Sequence, residues 1–286
     1  MKKIICILLC LLLCGCENNK TIDIDSINNF NNDDAKEFDF DVHSPEYMLI
    51  RMSDLKIQYA KNTNNVIYPA SLTKLATLDT VLNLVSDLND VSYVTHEQVE
   101  QLIIEDASLA YIKRDCDYSI LDLLYALILP SGADAAVALE NYFTNKGMNL
   151  VEEINKHLKN IGCKNTNFVN TTGLHDDNHY TTLDDLFIVL VDILEFDEGR
   201  NILESMYHKM ADGLFLTSSL RFIVDDDTQP LGGKTGFTPE SGQSVIVLYR
   251  AHNRSYALML ANAMGDYKNK QYWHFEDAME IMKRLY

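Results

Sequence analysis

Basic residues are in short supply: 24 Lys and Arg face 42 Asp and Glu, a formal charge of −18 over 286 residues. Nucleic-acid binding usually requires basic patches, and adhesion to anionic lipid head groups requires clustered cations. The charge balance argues against both. Long apolar runs are also lacking, since Ile4 to Leu13 is too short to cross a bilayer as a stable helix. Of six cysteines, four fall at or before Cys16, leaving Cys116 and Cys163. Two isolated cysteines make no disulfide framework and read as small buried hydrophobes. No internal repeat is present. His175 and His179 sit in an acidic stretch, but a zinc site needs a third ligand and usually a helix with a catalytic glutamate. Neither is apparent, so these histidines are expected to pack or to bond backbone, and no metal or other cofactor is expected. Gly232-Gly233-Lys234-Thr235-Gly236 lacks the spacing and order of a phosphate-binding loop.

What is present begins with a targeting segment. Met1-Lys2-Lys3 is a cationic start, the apolar run follows, and Leu13-Cys14-Gly15-Cys16 resembles a bacterial lipobox. On that reading residues 1–15 are removed and Cys16 carries acyl chains that hold the protein on a membrane. An ordinary secretory signal or an uncleaved anchor are the alternatives. Residues 16–45 are rich in Asn and Asp with no sustained period, a composition that reads as an acidic tether. Residues 46–286 are long enough for one substantial core with a helical lobe, placed at about 85–210.

Tyr47 to Met52 and Ile57 to Ala60 predict a hairpin. A helix is predicted from about Ser71 to Leu84. Ser119 to Asp122 gives a capping box before a helix ending near Pro130, and Thr182 to Asp185 caps another running to about Leu194. Asp134 to Phe143 and Leu150 to Ile161 read as helices, with Gly162 as a stop. Leu231 to Phe237, Ser244 to Arg250 and Tyr256 to Ala263 read as a strand meander. His274 to Tyr286 closes as an amphipathic helix with Phe275, Ala278, Ile281, Met282 and Leu285 on one side. Strands at both ends with helices between them imply an α+β fold, an antiparallel sheet covered by helices.

Three short motifs carry chemistry. Ser71 and Lys74 are three residues apart on a predicted helix, so they share a face and the amine can reach the hydroxyl. Serine is a poor nucleophile without an adjacent base. Lysine can be that base when burial or a second cation, here Lys234, keeps it neutral. Ser71 at a helix N-terminus also places its own N–H where an oxyanion could form. Ser131-Gly132 would form a turn between helices, pointing into the cleft. Lys234 and the Thr235 hydroxyl, on a predicted edge strand, can bind a terminal carboxylate. Gly236 lacks a side chain, which lets a peptide pair with that strand.

These elements, in order, resemble the Ser-x-x-Lys, Ser-x-Asn and Lys-Thr-Gly set of penicillin-binding proteins and serine β-lactamases. The resemblance is greatest to low-molecular-weight D-alanyl-D-alanine carboxypeptidases. It rests on Tyr68 to Lys74, Leu129 to Ala136, Thr172 to His175, His179 to Thr182 and Gly233 to Thr238, spanning roughly residues 46 to 263. It implies a DD-peptidase-like sheet of about five antiparallel strands plus an all-helical lobe. It implies that Ser71 is acylated, that Lys74 is its base, that Ser131 shuttles a proton to the leaving amine, and that the Phe237 N–H joins that of Ser71. The implied substrate is a peptidoglycan stem peptide ending in D-Ala-D-Ala, with β-lactams as inhibitors and no nucleic acid partner. Ala133 stands where the family usually carries asparagine, a residue that bonds substrate and helps hold the lysine. That departure keeps a non-catalytic binding lipoprotein open as an alternative, as does β-lactamase, although no Glu-x-x-Leu-Asn segment is present. The β-rich C-terminal domain of many relatives is not expected after the last helix.

Overall fold

In a computed structural model of the chain, residues 35–223 and 230–284 are described. The centre is a five-stranded antiparallel sheet in the order β2-β1-β9-β8-β7. The strands are β1 (Glu46–Arg51), β2 (Lys56–Lys61), β7 (Pro230–Thr238), β8 (Gly242–Ala251) and β9 (Arg254–Ala263). Strands from both ends of the chain thus share one sheet, joined where Glu46 pairs with Ala261 and Arg51 with Tyr256. His252 and Asn253 turn β8 into β9 with φ of 47° and 59°, the left-handed pair that a two-residue hairpin requires.

Successive strand residues point to opposite faces, and both faces are buried here. Met48 and Ile50 of β1 join the larger core under the helical lobe. Tyr47 and Leu49 join a second core beneath Phe275, Ala278, Ile281 and Met282. Those four lie on the C-terminal helix Trp273–Arg284, as its spacing predicts; Leu285 lies outside the described residues. Between β2 and β7 lie the helices α1 (Thr73–Leu84), α2 (His96–Ile104), α3 (Ile120–Ile128), α4 (Ala133–Asn145), α5 (Leu150–Ile161), α6 (Leu183–Glu195) and α7 (Asp197–Leu203). The C-terminal helix is α8. α1 is buried on nearly every side, as expected of a helix without a polar face. The caps lie where the side chains indicate: Ser119 accepts from Asp122 N, Thr182 from Asp185 N, and Gly162 closes α5 at φ 103°.

Some elements are absent from the sequence reading. α2 carries a capping box between Thr95 and Gln98, a signal that could have found it. α7 is short, and the two-stranded ribbons β3–β4 (Val91–Ser92 with Tyr118–Ser119) and β5–β6 (Tyr207–Lys209 with Phe215–Thr217) are too brief to show a period. Most of the expected tether and Cys16 lie outside the described residues. Its last part is seated on the domain: Lys36 bridges to Tyr59, and Phe38 stacks on the same tyrosine at 4.6 Å. Cys116 is exposed and Cys163 half-buried, both as free thiols, so burial describes only the second.

Candidate active site

Ser71 lies in a 3-10 turn, Ala70–Leu72, that runs directly into α1. One helical turn along, Lys74 donates from Nζ to Ser71 Oγ at 3.0 Å and to the Thr172 carbonyl at 2.5 Å. Lys74 is 1% exposed. Burial pulls its pKa down to about 7, opposed by the carboxylate of Asp134. Of the two causes the sequence offered, burial or a second cation, burial is the main one. The neutral amine can still donate to Thr172 while its lone pair faces the serine proton. Gly173 explains how Thr172 comes so close. At φ +83°, an added Cβ would lie 2.0 Å from the Ala70 carbonyl oxygen and 2.9 Å from the Ser71 nitrogen.

β7 occupies the sheet edge and brings Lys234 to the same place. Lys234 is fully buried, donates to the Thr235 carbonyl at 2.8 Å, and has its pKa driven well down by burial and then by the charge of Lys74. Two ammonium groups this near one another cannot both stay charged cheaply. A Cβ on Gly236 would meet the Pro69 carbonyl at 2.9 Å. Its missing side chain therefore lets β7 approach the Ser71 turn, a reason the sequence did not supply. Thr235 bonds Ser219 side chain to side chain at 2.7 Å, and Ser219 N donates to the Leu129 carbonyl at 3.0 Å. That pair ties β7 to the turn that carries Ser131.

Ser131 adopts φ +64°, and its buried Oγ has no protein hydrogen-bond partner among the described residues. Two residues on, Ala133 opens α4 and faces a cleft of about 1280 Å³ whose walls include Ser71, Lys74, Thr172 and Phe237. Asp134 is a further site residue that the sequence motifs do not mark. Its buried carboxylate accepts from Ala110 N at 2.8 Å and Ile112 N at 3.2 Å, pinning the cleft's other wall to α4. A lone aspartate next to a known turn gives no such signal in sequence. Ser219 was also missed, since it lies between predicted elements. His175 sets its ring edge-on to Tyr68, whereas His179 is buried and meets Thr73 Oγ1 through Nε2 at 2.7 Å. A separate buried cluster joins Asp79, His157 and Asp192. His157 Nε2 lies 3.0 Å from Asp79 Oδ2 and 3.3 Å from Asp192 Oδ2, and burial raises the pKa of Asp79 to about 7.

The family described as D-alanyl-D-alanine carboxypeptidase matches residues 31–264. The chain belongs to that family. It is 26% identical over 253 residues to D-alanyl-D-alanine carboxypeptidase DacA of Haemophilus influenzae, covering 83% of this chain and 62% of that protein. It is 25% identical over 231 residues to DacF of Bacillus subtilis, covering 78% and 59%. The chain thus spans about three fifths of these relatives. Among solved structures, a Streptomyces DD-transpeptidase superposes with a TM-score of 0.74 at 19% identity, covering 86% of this chain and 98% of the other. An ampicillin-bound penicillin-binding protein of Listeria monocytogenes gives 0.70 at 23% identity, covering 87% and 99%. The fold is therefore the one the motifs implied: five antiparallel strands flanked by helices, with a helical lobe.

Proposed function

We propose that this chain is a serine D,D-carboxypeptidase that removes the terminal D-alanine from peptidoglycan stem peptides. The observation that carries this reading is the 3.0 Å contact between Ser71 Oγ and a buried Lys74 whose pKa lies at about 7. Lys74 takes the serine proton as Oγ attacks the carbonyl of the penultimate residue. The Ser71 and Phe237 backbone N–H groups stabilise the oxyanion. Ser131 relays the proton to the leaving amine, and the C–N bond breaks. Lys234 and the Thr235 hydroxyl hold the terminal carboxylate, whose negative charge favours the protonated form of Lys234. Water then hydrolyses the ester on Ser71. With no Glu-x-x-Leu-Asn glutamate, a β-lactam ester persists.

Ala133 prompts the alternative of a non-catalytic binder, but Lys74 keeps two hydrogen bonds without an asparagine there. That favours the enzyme. The N-terminal reading completes the proposal: residues 1–15 as signal, Cys16 lipidated, and the catalytic domain held outside the cytoplasmic membrane. No helix among the described residues is long and apolar enough to cross a membrane, and the lipobox supplies the attachment. The test is labelling with a fluorescent penicillin alongside D-alanine release from a D-Ala-D-Ala pentapeptide. Wild type is expected to do both and Ser71→Ala neither. Labelling without release would leave a binder in place of an enzyme.

A further inference from the structure

The backbone just before Ser71 is strained and is held by hydrogen bonds that the chemistry above does not use. Ala70 takes φ +47°, a region unfavourable to a non-glycine residue that persists only where its surroundings impose it. The Ala70 carbonyl accepts from Thr73 Oγ1 at 2.7 Å. That hydroxyl has then committed its single proton, so towards its other neighbour it can only accept. The neighbour is His179 Nε2, also at 2.7 Å. On the far side of the ring, His179 Nδ1 lies 3.1 Å from the Val169 N–H. A backbone N–H can only donate, so Nδ1 carries the lone pair and Nε2 the proton. Every link therefore has one polarity: Val169 N–H to His179, His179 to Thr73, Thr73 to the Ala70 carbonyl. The ring is 2% exposed and lies on Phe168 at 4.7 Å. Burial draws its pKa down to about 4, against a weaker upward pull from Asp176, and nearby His175 lowers it further. The imidazole stays neutral across the range in which Lys74 changes charge.

We propose that His179 is a positioning residue for the nucleophile: acting through Thr73, it holds the Ala70–Ser71 peptide so that the serine hydroxyl meets Lys74 and its N–H faces the cleft. The inference rests on the acylating role proposed for Ser71. A histidine that merely filled space between residues 166–182 and α1 would affect stability but not the rate per folded molecule.

Two variants separate the halves of the ring. His179→Gln places an amide N–H near the Nε2 position and keeps the donor to Thr73. His179→Asn places a carbonyl near Nδ1 and keeps only the Val169 link. In acylation by a fluorescent penicillin, scaled to folded protein, His179→Asn is expected to slow the first-order step roughly ten-fold or more, because small misplacements of reacting groups are costly. The saturation constant should change by less than about three-fold, since the ring does not touch the ligand. His179→Gln should recover most of the lost rate. Equal rates in wild type and both variants, or equal losses in both, would overturn the proposal. Should His179→Asn fail to fold, Thr73→Val removes the same link from the other side and is read in the same way. Should wild type fail to label, the reading of Ser71 falls first. The positioning role is then decided by amide hydrogen exchange at Ser71 and Leu72. Faster exchange in His179→Asn but not in His179→Gln supports it, and unchanged exchange in both refutes it.

Discussion

Lys74 and Gly173 show what single residues contribute. Lys74 works as a base only when neutral, and its pKa lies at about 7 because it is buried. Acylation by penicillin should therefore rise as pH climbs from 6 to 8, with a midpoint near 7. Stopped-flow labelling across pH measures the profile, and a flat response would remove Lys74 from the base role. Gly173 and Gly147 have similar backbones, at φ +83° and +74°, but a Cβ at 147 would meet nothing within 4 Å. Gly147→Ala should cost only about 1–2 kcal/mol of stability, the penalty for a left-handed backbone. Gly173→Ala drives a methyl into the Ser71 turn and should in addition abolish labelling. Thermal melts and penicillin labelling of the two variants separate the contributions. The Ser71–Lys74 pairing was legible because i and i+3 share a helix face; the crowding at Gly173 depends on a segment about a hundred residues away.

At the scale of elements, α1, α5 and α6 are joined by a buried charge cluster that the hydrophobic pattern does not reveal. His157 Nε2 lies 3.0 Å from Asp79 and 3.3 Å from Asp192. Burial opposes the imidazolium, yet the hydrogen bonds it donates to Asp192 and Asp79 together raise its pKa to about 9. The folded pKa lies above the unfolded one, so this stabilisation is complete below about pH 6.5 and disappears as pH rises through about 9. His157→Gln should accordingly cost about 3 kcal/mol at pH 6 and distinctly less at pH 10. Urea unfolding at the two values reads the difference, and an equal loss at both would show that packing, not charge, is what His157 supplies. The caps of α3, α5 and α6 were legible because capping is local chemistry. α2 was passed over despite its Thr95–Gln98 box, and the short ribbons cannot be told from loops, because two or three residues hold no period.

The whole molecule is organised by one sheet made from both ends of the chain. That closure places β7 beside α1 and carries Lys234 to Lys74. The N-terminal reading also belongs at this scale: if Cys16 is lipidated, full-length protein partitions into the detergent phase on phase separation. Cys16→Ser should shift it to the aqueous phase. Membrane fractionation of the two forms is the check, and equal partitioning would indicate another mode of attachment or none.

The sequence alone determined the order and identity of the motifs, the helix caps and the alternation that buries both faces of the sheet. Each depends on spacings of a few residues, which helical and strand geometry convert directly into shared faces. Tertiary structure alone decided that burial sets the charge of Lys74, that Gly236 is small where β7 meets the Ser71 turn, and that His179 bonds Thr73 at the start of α1. Those outcomes follow from solvent exclusion and from contacts between segments far apart in the chain, quantities that no local pattern encodes.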